Sequence, residues 1–263
     1  HSILDNSMKA LLLAGGNGVR LKPLTDFFPK CLAPINGRPL LDYWISALSQ
    51  NGIKEILLNT HHLNHLVESY IENSTWNSII TIAHEPSLLG TGGTILQHKS
   101  FFEKGDFLVA HADNIFNFNL KELFVSHKNR KKDIVATMLT FYTDEPQNCG
   151  VVSIDDNLVI QKFDEKNPLL TDRSLANAAI YVFSELIYDH FETNESSFID
   201  LSLDIIPKIV GLINGCIHSG EIIDIGSLEA WNRANFHSEF QTSEFLEQNQ
   251  AAWNIVLRKI ASS

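Results

Sequence analysis

The chain has 263 residues, 44% hydrophobic and 19% charged, which suits one large globular domain or one domain with a small lobe. Its 20 Lys and Arg against 31 Asp and Glu give a net charge of −11, which argues against nucleic acid as a partner because phosphate-backbone binding needs a basic face. No apolar stretch approaches the roughly 18 residues of a membrane span and no signal peptide is visible, so neither a membrane nor secretion is expected.

In chain order, His1 to Ser7 precede Met8 and are set aside as a leftover or linker (residues 1–7). Lys9 to Ala14 reads as a buried parallel strand, because Gly15, Gly16 and Gly18 punctuate the apolar run immediately afterwards. Helices over Leu40 to Asn51, Leu63 to Ile71, Ile95 to Phe102 and Leu120 to His127 then alternate with strands over Glu55 to Asn59, Ile79 to His84, Phe107 to His111 and Ile134 to Tyr142. Such alternation predicts an α/β fold with a Rossmann-like, mixed but mainly parallel sheet flanked by helices, whose ligands bind at the carboxyl ends of the strands.

The basic run Lys128 to Lys132 reads as a solvated turn between a helix and a strand. After Gly150 the texture changes to short apolar segments, Val151 to Ile154, Val159 to Phe163 and Ala176 to Phe183, expected to form a smaller, partly antiparallel β lobe. Residues 8–236 are expected to be the main domain and 237–263 a helical tail, whose apolar positions Phe245, Leu246, Trp253, Val256, Leu257 and Ile260 follow a helical period. That tail either packs back on the domain or makes a homo-oligomer contact. Cys31, Cys149 and Cys216 are odd in number and widely spaced, as expected of reduced thiols in a cytoplasmic protein.

The glycine turn carries the chemistry. Gly15, Gly16 and Gly18 let backbone N–H groups approach a phosphate, with Leu13 and Ala14 leading into the turn, Arg20 adding a cationic fork and Lys30 a mobile point charge. Two better-known loops are excluded. A dinucleotide fingerprint begun at Gly16 and Gly18 would place its third glycine at Leu21, and no G-x-x-x-x-G-K-[ST] occurs.

The string L-x-A-G-G-x-G-x-R-L-x-P-L-T over Leu12 to Thr25, P-K-x-L-x-P over Pro29 to Pro34, and Pro39-Leu40 resemble the sugar-phosphate nucleotidylyltransferases, notably the mannose- and heptose-1-phosphate guanylyltransferases. Later segments match in order as far as about Trp231, with Cys31 standing where many members have a second proline. The resemblance implies an enzyme that joins a nucleoside triphosphate to a sugar 1-phosphate, releasing pyrophosphate, in sugar-nucleotide and polysaccharide biosynthesis.

Residue by residue, the resemblance implies that Arg20 and Lys30 hold the triphosphate and that Asp113, in His-Ala-Asp, and Asp224, in Asp-Ile-Gly-Ser, clamp Mg²⁺. Mg²⁺ suits one or two carboxylates plus phosphates and water. Lys166, in Phe-Asp-Glu-Lys-Asn, would bind the attacking sugar phosphate, with Asn167 replacing the usual proline. Glu165, Asn148, Gly150 and Asn177 would face the sugar. Glu85, with Gly90 and Thr91, would meet the base; a carboxylate is acceptor-only, so it pairs with the adjacent N–H donors of guanine and favours GTP, although it can also accept from a uracil N–H. A uridylyl- or thymidylyl-transferring relative and a non-catalytic regulatory subunit remain the alternatives. His61, His62 and His65 have no carboxylate spaced to complete a metal site, and are read as structural.

Overall fold

The computed structural model describes residues 8–103, 105–192, 198–236 and 244–263. Residues 1–7 and the first part of the predicted tail, 237–243, lie outside the described residues. The chain divides into two compact units, one containing Leu89–Ala110 and Phe118–Glu221, the other Ala10–Leu88, His111–Asn117 and Ile222–Ser263.

The second unit carries the parallel, Rossmann-like part of the α/β fold. Strand Lys9–Leu13 pairs in parallel with Ile56–Thr60, which pairs in parallel with Ile80–His84. Residues 10–13 and 56–58 of the first two strands are continuous apolar runs because both faces are covered. Helix Leu40–Gln50 buries Leu40, Leu41, Trp44, Ile45 and Leu48 at helical spacing, and Gly52 at φ 91 supplies the left-handed turn beyond its end. A small antiparallel pair, Asn114–Phe116 with Ile222–Asp224, brings two distant segments side by side.

The tail forms helix Glu247–Ala261, which packs back on this unit by burying Asn249, Ala252, Trp253 and Val256. Trp253 lies against Phe28 and Tyr70. Beneath it, buried Asp42 pairs with Arg38 and accepts from Tyr70, Trp76 and Asn249, so a buried carboxylate has several donors to offset its desolvation.

The first unit is a mixed sheet organised on the ten-residue strand Ser174–Phe183. It pairs antiparallel with Phe107–His111, Ala136–Thr143 and Gly150–Ile154, while Ile213–His218 adds in parallel to Ala136–Thr143. The change of texture at Gly150 is therefore internal to this unit: strands before it pair with the long strand after it. The segment expected to be one helix over Ile95 to Phe102 is two short ones, Thr91–Gln97 and Lys99–Phe102, broken at His98. Helix Leu120–Lys128 runs into the exposed basic turn, where Arg130 is held by Asp106 and the His127 carbonyl. Among the described residues no helix is long and apolar enough to cross a membrane.

Candidate active site

In the second unit the glycine turn leaves strand Lys9–Leu13 at its carboxyl end. The Ala14 N–H donates to Asn59 Oδ1 at 2.6 Å, and a Cβ on Gly15 would lie 3.1 Å from Asn59 Nδ2, so the turn and Asn59 are in close contact. Gly16 is exposed with open space around it, as a phosphate-facing amide requires. Gly18 sits at φ 60, and its carbonyl accepts from Thr25 Oγ1 at 2.7 Å, which fixes the far side of the turn.

Asp113 follows strand Phe107–His111, and the Ala112 N–H donates to the Leu13 carbonyl, which sets Asp113 beside the start of the glycine turn. Asp224 closes the short strand paired to Asn114–Phe116. Between the two carboxylates lies the Lys30 ammonium, 2.8 Å from Asp113 Oδ2 and 3.0 Å from Asp224 Oδ1. Lys30 is presented by the turn Lys30–Leu32 that Pro29 opens, and its side chain is only 10% exposed. Burial opposes its charge, but Asp113 and Asp224 outweigh burial and hold its pKa above the ordinary lysine value. Burial also pushes Asp113 upward, yet Lys30, with His111, keeps it below the usual carboxylate range.

The ammonium stands where a cation shared by the two acids belongs, and two hard oxygen donors fit Mg²⁺ completed by phosphates and water. Gly226 lies close to both Asp224 and Arg20: a Cβ there would fall 3.1 Å from Asp224 Oδ2 and 3.4 Å from Arg20 Nη2. Cys31, next to Lys30, is fully buried, and desolvation pushes its thiol up to about 12, so it takes no part as a thiolate.

Glu85 follows strand Ile80–His84 and is 5% exposed. Its N–H donates to the Thr60 carbonyl, and Asn59 Nδ2 donates to its Oε1 at 3.3 Å. His61 Nδ1 lies 2.7 Å from the Glu85 carbonyl and His62 Nε2 2.8 Å from the Thr25 carbonyl. Leu13, Ala14, Gly15, Gly16, Gly18, Arg20, Lys30, Glu85, Asp113 and Asp224 thus all belong to one unit.

Gly90, Thr91 and the sugar-side residues belong to the other. Gly90 has φ 78, and a Cβ there would lie 2.3 Å from the Ile199 carbonyl oxygen. That oxygen accepts from Gly92 and Gly93, and Thr91 Oγ1 accepts from the Leu201 N–H, so this run clasps the chain around Ile199.

Gly150 pairs with Glu165 across two antiparallel strands, where a Cβ would fall 2.6 Å from Glu165 Oε2 and 2.7 Å from the Phe163 ring. Glycine leaves room there for the carboxylate and for the less yielding Phe163 ring. Burial raises the pKa of Glu165, Lys166 lowers it and Asp200 raises it. Lys166 adopts φ 50, donates its N–H to the Cys149 carbonyl, and holds Nζ 3.8 Å from Glu165 Oε1 with its side chain 68% exposed. Asn148 Nδ2 donates to Glu145. Asn177 is engaged internally: Nδ2 donates to Tyr181 Oη at 2.6 Å and Oδ1 accepts from Ala179 N, where the pairing register of the strand breaks.

Asn59, Thr25 and Gly226 also build the site, and sequence reasoning did not single them out as ligands or supports. Asn59 had a readable signal, the first of two polar residues that close an otherwise apolar strand. Thr25 and Gly226 lie inside matched motifs, but their partners are visible only in three dimensions.

A family model described as Nucleotidyl transferase matches residues 9–239. The chain is 29% identical over 220 residues to a D-glycero-alpha-D-manno-heptose 1-phosphate guanylyltransferase of Campylobacter jejuni, covering 83% of this chain and 95% of that protein. It is 30% identical over 208 residues to a probable mannose-1-phosphate guanylyltransferase of Oryza sativa, covering 77% of this chain and 56% of that one, so it spans about half the length of such relatives. Among solved structures, a putative glucose-1-phosphate thymidylyltransferase from Bacillus anthracis superposes with a TM-score of 0.80 at 24% identity, covering 92% of this chain and 99% of that one. HddC from Yersinia pseudotuberculosis superposes with a TM-score of 0.73 at 25% identity, covering 87% and 98%.

Proposed function

Since the chain belongs to the Nucleotidyl transferase family, we propose that it is a sugar-1-phosphate nucleotidylyltransferase that joins GTP to mannose- or heptose-1-phosphate, giving a GDP-sugar and pyrophosphate. The observation that carries the reading is the Lys30 ammonium between Asp113 and Asp224 at the carboxyl end of the glycine-turn strand. A pure binding module has little use for two acids and a lysine converging there.

In the reaction an oxygen of the sugar 1-phosphate attacks the α-phosphorus of the nucleotide in line. The bond from α-phosphorus to the bridging oxygen breaks and pyrophosphate leaves with that electron pair. The Gly15 to Gly18 amides and Arg20 hold the triphosphate, Lys30 neutralises phosphate charge, and Lys166 holds the attacking phosphate. Mg²⁺ bound by Asp113 and Asp224 would supply charge neutralisation at the phosphates. No general base is required, because the attacking phosphate oxygen is already ionised. Glu165 and Gly150 would line the sugar pocket with Asn148 and Asn177, and Glu85 would accept from the guanine N–H pair, with Gly90 and Thr91 shaping the nucleotide side. The guanylyltransferase names of the relatives support the choice of base and sugar.

The test is pyrophosphate release with Mg²⁺ over GTP, UTP, dTTP and ATP against mannose-, heptose-, glucose- and N-acetylglucosamine-1-phosphate. Turnover confined to GTP with mannose or heptose is expected. Turnover in a UTP or dTTP cell would reassign the base, and silence throughout with intact GDP-sugar binding would make the chain a regulatory subunit.

A further inference from the structure

We propose that the segment Asn59 to His62, where the chain leaves strand Ile56–Thr60, is a positioning element that holds the base-reading carboxylate in register with the phosphate loop, and that Asn59 thereby governs base selectivity. This rests on Glu85 reading the base.

Three of these four consecutive residues hold three different stretches of the nucleotide half through their side chains. Asn59 reaches both the Ala14 N–H, at 2.6 Å, and Glu85 Oε1, at 3.3 Å. The orientation of its amide follows from its partners: a backbone N–H can only donate, so Oδ1 must face Ala14, which leaves Nδ2 for Glu85. Asn59 is 4% exposed and Glu85 5%, so the amide also supplies one of the donors that a buried carboxylate needs.

His61 Nδ1 faces the Glu85 carbonyl and therefore carries the proton there; His62 Nε2 does the same for the Thr25 carbonyl. Thr25 Oγ1 donates in turn to the Gly18 carbonyl, so His62 reaches the phosphate turn through one intermediate. Asn59 touches both the phosphate turn, through Ala14, and the base reader; His61 acts on the base reader, and His62 on the phosphate turn.

The two arms predict different kinetics. A site built to hydrogen-bond a particular edge rejects other bases only while its acceptors are held in place. Loosening Glu85 erodes discrimination, whereas loosening the phosphate turn weakens every nucleotide equally, because all carry the same triphosphate.

The experiment compares wild type, Asn59→Asp, Asn59→Ala, His62→Ala and Glu85→Gln for kcat and KM with GTP, UTP, dTTP and ATP, using the sugar phosphate that turns over best. Calorimetric binding of GTP and UTP gives the same ratio without turnover, and a thermal melt of each variant checks folding. Asn59→Asp keeps an acceptor for the Ala14 N–H but sets a carboxylate against Glu85. Its GTP to UTP ratio should fall about tenfold, the size of one hydrogen bond to a charged group, mainly through KM for GTP. Asn59→Ala, which also frees the Ala14 N–H, should lose discrimination and in addition weaken all four nucleotides, whereas His62→Ala should lower all four together with the ratio unchanged. An unchanged ratio in both Asn59 variants while Glu85→Gln alters it would overturn the positioning role and leave the base reading intact. A ratio untouched by Glu85→Gln would remove the base reading and this inference with it. A uniform fall across all four nucleotides in both Asn59 variants would reduce Asn59 to scaffolding and overturn the proposal.

Discussion

Replacing Lys30 by methionine keeps most of the side-chain volume and removes the one charge between Asp113 and Asp224. At 2.8 Å and an effective dielectric of about 20, the Lys30–Asp113 attraction is roughly 6 kcal/mol before desolvation. Asp224 is 58% exposed, so its 3.0 Å pair is screened towards the bulk-water value of about 1 kcal/mol. Removing the lysine also ends the cost of desolvating it, but leaves the more buried Asp113 carboxylate without its main counter-charge. The net destabilisation should be about 2 kcal/mol, or about 4–8 °C in Tm for a chain of this size. The same substitution should lower kcat by about a hundredfold, the loss of one transition-state charge of about 3 kcal/mol. A divalent cation can take the vacated place between the carboxylates, so millimolar Mg²⁺ without nucleotide should raise the Tm of Lys30→Met more than that of wild type. Differential scanning fluorimetry with and without Mg²⁺, beside steady-state pyrophosphate release, reads all three effects. A Lys30→Met protein with unchanged Tm in metal-free buffer and no greater Mg²⁺ response than wild type would refute the reasoning.

Gly150→Ala places a Cβ 2.6 Å from Glu165 Oε2 and should raise KM for the sugar phosphate severalfold while leaving the calorimetric affinity for GTP alone. Trp253→Ala removes a fully buried indole and should cost about 3–5 kcal/mol in a urea titration, because helix Glu247–Ala261 docks through it. Asp106 carries a lowered pKa: burial pushes it up, and hydrogen bonding to His127 with the charge of Arg130 more than offsets that. Its stabilising contribution is therefore complete above the ordinary value of 3.8 and is lost as pH falls through the lower folded value. Wild type should lose Tm over that acid window more steeply than Asp106→Asn in a pH series of melts.

Much of the architecture was legible because it rests on local patterns. Apolar runs such as Ala10 to Leu13 and Phe107 to Ala110 mark buried strands, and the i, i+3, i+4 spacing of Leu40 to Leu48 marks a helix, whatever the surroundings. The strand Ile213–His218 was not marked, since Asn214 and Gly215 interrupt its apolar pattern and its parallel partner lies more than seventy residues upstream. The start of helix Thr91–Gln97 is likewise a tertiary outcome. The Gly90 to Gly93 run sets where the helix starts by closing on Ile199, over a hundred residues away.

By itself the sequence determined which residues could do the chemistry: the glycine turn, the lysines, and acids at the ends of strand-like segments are chemical types in a fixed order. The tertiary structure decided how they meet. It put the Lys30 ammonium between two acids 111 residues apart, engaged both ends of the Asn177 amide inside the protein, and turned Asn59, His61 and His62 into clamps on separate segments. The physical reason is that hydrogen bonds and ion pairs act over about 3 Å, a range that chain order constrains only within a helix, a strand or a turn. Contacts between distant segments are set by sheet register and packing, and those exist only once the chain has folded.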